Sequence, residues 1–229
     1  MTRKRLFTSD TLDAVAYIVL LLAVASWVAI LCVKQLTYGL EFDESYLLGV
    51  ANNLASGSGY VDDGVTFLST SEPFSPVIST GPTVLIPVSL TWWIFDGDLL
   101  AIRFTMLIFF GILLFSVWRL FGNLSGRWAS LAAVGGLALV PTVAPDLQNT
   151  SLMPGRVVGE LPALALLLLA GLLLSKHRYF WSGLCLGLML LSKLTFAIPA
   201  AALIATFFVF ELLNRHISPW PVSYTHLTL

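Results

Sequence analysis

Charge is what this sequence has least of. Only 11% of its 229 residues are Asp, Glu, Lys or Arg, against 57% hydrophobic, and the mean hydropathy is +0.88. Soluble domains carry about a quarter charged residues, so a water-soluble fold is excluded. A formal net charge of -1 gives no global attraction for nucleic acid, and no such partner is expected. Cysteine is nearly missing as well. Cys32 and Cys185 both sit inside apolar runs, where a thiol acts as a small hydrophobe, which speaks against a disulfide or a metal role. Histidine is equally scarce: His177, His216 and His226 fall on the inner side of the layout derived next or in the C-terminal tail. No histidine-based metal site can then be built on the outer side.

What the sequence does have is long uncharged runs. Residues 14–33, preceded by Arg3, Lys4 and Arg5, make a helix of about 30 Å, enough to cross a bilayer. The run is too long for a signal-peptide core, so it is a permanent span. Further spans are expected at 99–118, 128–145, 157–175, 179–192 and 194–210, about six in all. The fifth is short, about 21 Å of helix, which puts Lys193 at or just inside the membrane surface. Between the first two spans lies a polar stretch, 34–82, and then the apolar run 83–95. Thirteen residues do not cross as a helix, so this run is expected to be re-entrant or interfacial, with Trp92 and Trp93 at headgroup depth. The fold class is all-α, a polytopic transmembrane bundle whose long first extracytoplasmic loop carries amphipathic interfacial helices.

Sidedness follows from the bases. With the N-terminus cytoplasmic, Arg3, Lys4, Arg5, Arg119, Arg127, Lys176, Arg178 and Arg215 lie inside, and Lys34, Arg103, Arg156 and Lys193 outside. Eight against four obeys the positive-inside rule. Ten of the 13 acids fall outside, from Glu41, Asp43 and Glu44 through Asp146 to Glu160, so function is sought on that face. Asn123 and Asn149 match the glycosylation acceptor pattern, but the first is cytoplasmic in this layout and neither is used.

The last eight residues, Val222-Ser223-Tyr224-Thr225-His226-Leu227-Thr228-Leu229, match the translation of a transposon-type sequencing adapter. They are set aside as an artefact. On this reading the natural product is cut near Trp220, and the remaining fragment is expected to be inactive by itself.

The first outer loop opens on Glu41-Phe42-Asp43-Glu44 and continues with Leu47, Val50, Ala51, Leu54 and Ala55 at helical spacing, stopping at Gly57-Ser58-Gly59. A short amphipathic helix on the membrane surface is expected, with Asp43 at its N-cap and Glu44 in its first turn. A carboxylate held there either caps the helix or takes a proton from an acceptor hydroxyl or amine, and the two roles are compatible. The cations also have structural alternatives. Arg103 can snorkel or pair with Asp96 or Asp98, and Glu160 can pair with Arg156, four residues earlier. Lys193 splits an apolar stretch, which is costly unless it meets water, an acid or a phosphate.

These pieces together resemble the C-type (GT-C) membrane glycosyltransferases, in their protein O-mannosyltransferase-like and lipid A aminoarabinose transferase-like branches. The resemblance rests on a charged start, one span, Phe42-Asp43-Glu44-Ser45-Tyr46, Val50-Ala51-Asn52-Asn53-Leu54-Ala55 and Gly57-Ser58-Gly59-Tyr60. Ser79-Thr80-Gly81-Pro82-Thr83, Arg103, Gly159-Glu160-Leu161-Pro162-Ala163 and Ser192-Lys193-Leu194-Thr195 follow in order. Residues 1–221 then form the N-terminal portion of such a module and 222–229 the adapter-like tail. The resemblance implies transfer of a sugar from a polyprenyl-phosphate donor to a lipid, glycan or protein acceptor at the outer face, with inversion. It places the catalytic carboxylates on Asp43 and Glu44, Glu44 serving acceptor or metal binding in a branch-dependent way. Lys193, Arg103 and Arg156 are the cations available for the lipid phosphate, with Glu160 and Asp146 in support. No cofactor is called for, though a carboxylate-only divalent-ion site stays open. The competing classes are a transporter or flippase, weakened by the lack of a second copy of the Asp43 or Gly159-Glu160 segments, and a non-catalytic membrane assembly subunit.

Overall fold

The computed structural model describes residues 9–62, 72–75, 79–143 and 153–217. Asp63, Asp146, Asn149 and the adapter-like octapeptide lie outside the described residues. The chain divides into two compact units, Met1–Phe196 and Ala197–Leu229.

The first unit is built from helices: α1 (Ser9–Leu36), α2 (Phe42–Ala55), α3 (Pro82–Ile94), α4 (Leu99–Ser125), α5 (Arg127–Val143), α6 (Glu160–Leu174) and α7 (Tyr179–Leu190). A two-residue antiparallel ladder, β1 (Val61–Asp62) with β2 (Glu72–Pro73), ties the loop after α2 to the segment before α3. A single 3₁₀ turn, Leu194–Phe196, closes the unit, and α8 (Ala197–Ile217) is the described part of the second. The expected all-α helix bundle is what is found.

Among the described residues, three stretches are long and apolar enough to cross a membrane: Asp10–Leu36, Leu99–Ser125 and Leu194–Leu213. Four further apolar helices are shorter, Pro82–Ile94, Arg127–Val140, Glu160–Leu174 and Tyr179–Leu190, the expected spans 128–145, 157–175 and 179–192 among them. α4 runs past the expected end at residue 118 to Ser125, where Gly126 stops it with a φ of 83° that a Cβ would resist. α6 starts later than expected, at Glu160, because Gly155 turns the chain with a φ of 91° and residues 153–159 stay non-helical.

Two apolar clusters divide the unit. One joins Leu47, Val50 and Ala51 of α2, Val84, Leu85 and Val88 of α3, Ile102 and Met106 of α4, and Val157 and Val158. The apolar face of α2 is therefore buried against protein, where an interfacial helix would have offered it to lipid. The other cluster joins Phe110, Leu113 and Val117 of α4, Val134 of α5, and Leu161 and Ala165 of α6. The exposed aliphatic and aromatic side chains of α1, Ile18, Leu22, Ile30 and Val33 among them, suit a lipid environment. At the N-terminal end of α1, Asp13 pairs with Arg127 and accepts from Trp128 Nε1 at 3.1 Å, while Arg127 lies over the Tyr17 ring at 4.8 Å. That clasp joins the starts of α1 and α5, the end away from the site described next.

Candidate active site

Six separate segments meet at the other end of the first unit: residues 35–39 at the end of α1 and just beyond it, the start of α2, residues 79–81, the first turns of α4, residues 153–160, and residues 191–193. Each of the three cations singled out in the sequence for the lipid phosphate meets a carboxylate there.

Arg103 sits one turn into α4 and is sealed, with 2% of its side chain exposed and 1% of that of Glu44. Its Nε and Nη2 donate to Glu44 Oε1 and Oε2 at 3.2 and 2.9 Å. Nη1 donates to the carbonyls of Gln35, Leu36 and Tyr38, the last at 2.6 Å, and Nη2 also to Gly39 O. One guanidinium thus absorbs the carbonyls that the end of α1 leaves without helical partners and fixes the first turn of α2 beneath them. The partner is not Asp96 or Asp98. Asp98 caps α4, accepting from Leu100 N at 2.7 Å, and Asp96 stands in a turn at a φ of 50°, so Arg103 reaches across to α2 instead.

Arg156 is buried and pairs with Glu41. Loss of solvent lowers its affinity for its proton, opposed chiefly by the negative field of Glu160. The expected Arg156–Glu160 pair on one helix face does not form, because residue 156 precedes the helix and the four-residue register is lost. Glu160 pairs instead with Lys193, Nζ to Oε1 at 2.9 Å, with 19% of the lysine and 27% of the glutamate side chain exposed.

The backbone around this last pair is interlocked. Gly81 N donates to Ser192 O at 2.9 Å, Thr83 N to Leu191 O at 3.3 Å and Thr83 Oγ1 to Leu188 O at 2.8 Å. Ser192 Oγ donates to Gly159 O at 2.9 Å, and a Cβ on Gly159 would stand 2.6 Å from Ser192 O, 3.2 Å from Thr80 Oγ1 and 3.3 Å from Lys193 Cδ. Ser79-Thr80-Gly81-Pro82-Thr83, Gly159-Glu160 and Ser192-Lys193, three motifs far apart in sequence, are thus one knot. Only glycine at 81 and 159 lets the three segments approach so closely.

Asp43 stands apart from all this. The residue at the N-cap is Glu41, whose extended backbone (φ −99°, ψ 165°) precedes the helix and whose carbonyl accepts from Ser45 N at 2.8 Å. Asp43 is therefore the second helical residue, not the cap, and it is exposed. Among the described residues its carboxylate has neither a hydrogen bond nor an ion pair. Glu41, Glu44 and Glu160 pair with Arg156, Arg103 and Lys193, three negative charges against three positive, which leaves Asp43 outside the ion pairs of the described residues.

Behind α2, Tyr46 Oη donates to Asp62 at 2.7 Å, and Phe74 packs on both Tyr46 and Tyr60. Burial, then the Asp62 bond, pushes the Tyr46 phenol up to about 12. Burial alone pushes Tyr60 to about 12. Among the described residues no three His, Cys, Asp or Glu side chains come together as a metal site.

A family model described as dolichyl-phosphate-mannose-protein mannosyltransferase matches residues 79–229, about two thirds of the chain. The chain belongs to that family. It is accordingly a membrane glycosyltransferase of the C type, and membership implies a lipid-linked sugar donor and an acceptor. The matched region holds Arg103, Arg156, Glu160, Lys193 and the knot that joins them; Asp43 and Glu44 precede it. Comparison with curated proteins and with solved structures returns no match. Sequence reasoning missed Glu41 as the partner of Arg156, and Thr80 and Ser192 as parts of the knot. No local spacing encodes a pairing between segments that only the fold brings together.

Proposed function

We propose that the protein transfers a sugar from a polyprenyl-phosphate donor to an acceptor hydroxyl or amine at the outer face of the membrane, with inversion at the anomeric carbon. The observation that carries the reading is the contrast among three neighbouring carboxylates: Glu41 and Glu44 are tied up by Arg156 and Arg103, and Asp43 between them is exposed and unpaired among the described residues. A general base has to be held still and left free to accept, and the two ion pairs supply the first condition without consuming the second.

In this reading the acceptor oxygen or nitrogen attacks the anomeric carbon and gives its proton to Asp43. The bond from that carbon to the phosphate oxygen breaks, its electron pair staying on the phosphate. Lys193, with Arg156 nearby, offsets the charge gained there. Arg103, with all three nitrogens engaged by protein acceptors, serves as the brace that positions Glu44 and hence Asp43. The reading calls for no cofactor.

The orientation with the Asp43 loop outside belongs to the same proposal and rests on the eight-to-four distribution of bases. An impermeant thiol reagent on intact cells checks it: a cysteine at Ser58 should react and one at Ser175 should be protected, and the reverse pattern overturns the orientation. The activity is tested by measuring transfer from a labelled polyprenyl-phosphate sugar with Asp43 intact and replaced.

A further inference from the structure

The three ion pairs at this end differ in how easily they open. The Arg103–Glu44 pair is sealed and carries four backbone carbonyls with it. The Lys193–Glu160 pair is a single contact at 2.9 Å between partly exposed groups. Lys193 has three N–H donors, and among the described residues Glu160 is its ion-pair partner. Glu160, for its part, lies in the first turn of α6, whose N-cap is Gly159 and offers no side-chain cap. Unpaired helix N–H groups and the positive end of the helix dipole therefore favour its carboxylate with or without the lysine. The ammonium can leave, and the carboxylate it leaves behind is not stranded. The knot of Gly81, Gly159 and Ser192 meanwhile holds the two side chains' backbones at fixed separation, so the pair re-forms in one geometry.

We propose that Glu160 is the resting partner of Lys193 and a positioning residue for product release: donor phosphate displaces it from the ammonium, and after transfer it recaptures the ammonium and helps expel the spent lipid phosphate. This rests on the proposed reaction and deepens it. The chemistry sets the need. The donor is a phosphodiester with one negative charge, whereas cleavage of the sugar–oxygen bond leaves a phosphomonoester of about −1.5 to −2 at neutral pH. A lone lysine would hold the product more tightly than the substrate. A carboxylate within reach of the same ammonium competes with both, and restores turnover by making release less costly.

The consequence has a sign that a merely structural ion pair does not share. Equilibrium binding of a polyprenyl phosphate to the intact protein in neutral-lipid vesicles, with the uncharged polyprenol as control, should strengthen roughly two- to fivefold in Glu160→Gln. It should weaken in Lys193→Gln, and the double variant should lie much closer to Lys193→Gln than to Glu160→Gln, because Lys193 is the cation that Glu160 pairs with. Glu160→Asp, which keeps the charge, should bind nearer to wild type. In turnover assays Glu160→Gln should show a lower donor KM together with deeper inhibition by polyprenyl phosphate. If Lys193→Gln weakens binding while Glu160→Gln leaves it unchanged or weakens it too, Glu160 is not the competitor, and the proposed function survives. If the wild-type protein binds polyprenyl phosphate no better than polyprenol, the lipid-phosphate reading fails and takes this inference with it.

Discussion

The guanidinium of Arg103 meets the carboxylate of Glu44 side-on, Nε to Oε1 at 3.2 Å and Nη2 to Oε2 at 2.9 Å, in a pocket that excludes solvent from both. A forked, charge-assisted contact of this kind fixes both distance and angle between α4 and α2. Breaking one side of a buried pair leaves the other charge uncompensated, which costs about 3–5 kcal/mol. Arg103→Met should therefore lower stability by about that much, and more than Glu44→Gln, because it also takes the guanidinium donors away from the carbonyls of Leu36, Tyr38 and Gly39. The double variant should cost less than the two single losses added together. Thermal unfolding in detergent measures all three, and an Arg103→Met protein as stable as wild type would show that the pair is not the brace.

Two glycines give opposite signs under the same substitution. A methyl on Gly81 would collide with the Leu191 backbone carbonyl, which cannot swing aside as a side chain could. Gly81→Ala should destabilise by about 1–3 kcal/mol through overpacking. Gly49, inside α2, has nothing within 4 Å of where its Cβ would be. Gly49→Ala should stabilise by about 0.5–1 kcal/mol, since alanine loses less backbone freedom in a helix. Unfolding temperatures moving apart in this way support the close approach at Gly81; equal shifts would refute it.

Tyr46 and Tyr60 set an alkaline limit to α2 and the loop that follows it. Both phenols are pushed up to about 12 from an ordinary value of 10.0. A raised acid pKa in the folded state means the folded protein holds those protons more tightly. The associated stability is present below about pH 10 and is lost as pH climbs toward 12. Ultraviolet titration should show two tyrosines ionising late, one of them missing in Tyr46→Phe. A titration in which all tyrosines of the folded protein ionise together near 10 would contradict the burial and the Asp62 bond.

Much of the fold was legible in the sequence because hydropathy is a local signal: the apolar runs at 14–33, 99–118 and 194–210 became long helices, and the helical spacing of Leu47, Val50 and Ala51 marked the buried face of α2. What that face touches was not legible, since an apolar stripe looks the same whether protein or lipid covers it. The same limit applied to the site. Arg103, Arg156, Glu160 and Lys193 were recognisable as costly charges near apolar runs, so their importance could be read one residue at a time. Their pairing could not. Gly155 breaks the register that would have joined Arg156 to Glu160, and the true partners come from segments that only the folded chain brings together. The N-cap was misplaced by two residues for a related reason: Glu41 holds the cap's backbone position while its side chain is drawn away to Arg156.

Asp43 carries the central claim. It is exposed in the first turn of α2, so Asp43→Asn removes only a favourable charge near the helix start, about 0.3–1 kcal/mol, and the protein should remain folded. Turnover should nonetheless fall by roughly a hundredfold to ten-thousandfold, the range expected when a general base is lost. The direct test is transfer from a labelled polyprenyl-phosphate sugar by the intact protein in vesicles, wild type against Asp43→Asn, with unfolding temperatures measured on the same preparations. A folded variant with turnover reduced to that extent is the result predicted here; a folded variant that transfers sugar at the wild-type rate would contradict the assignment of Asp43 as the base.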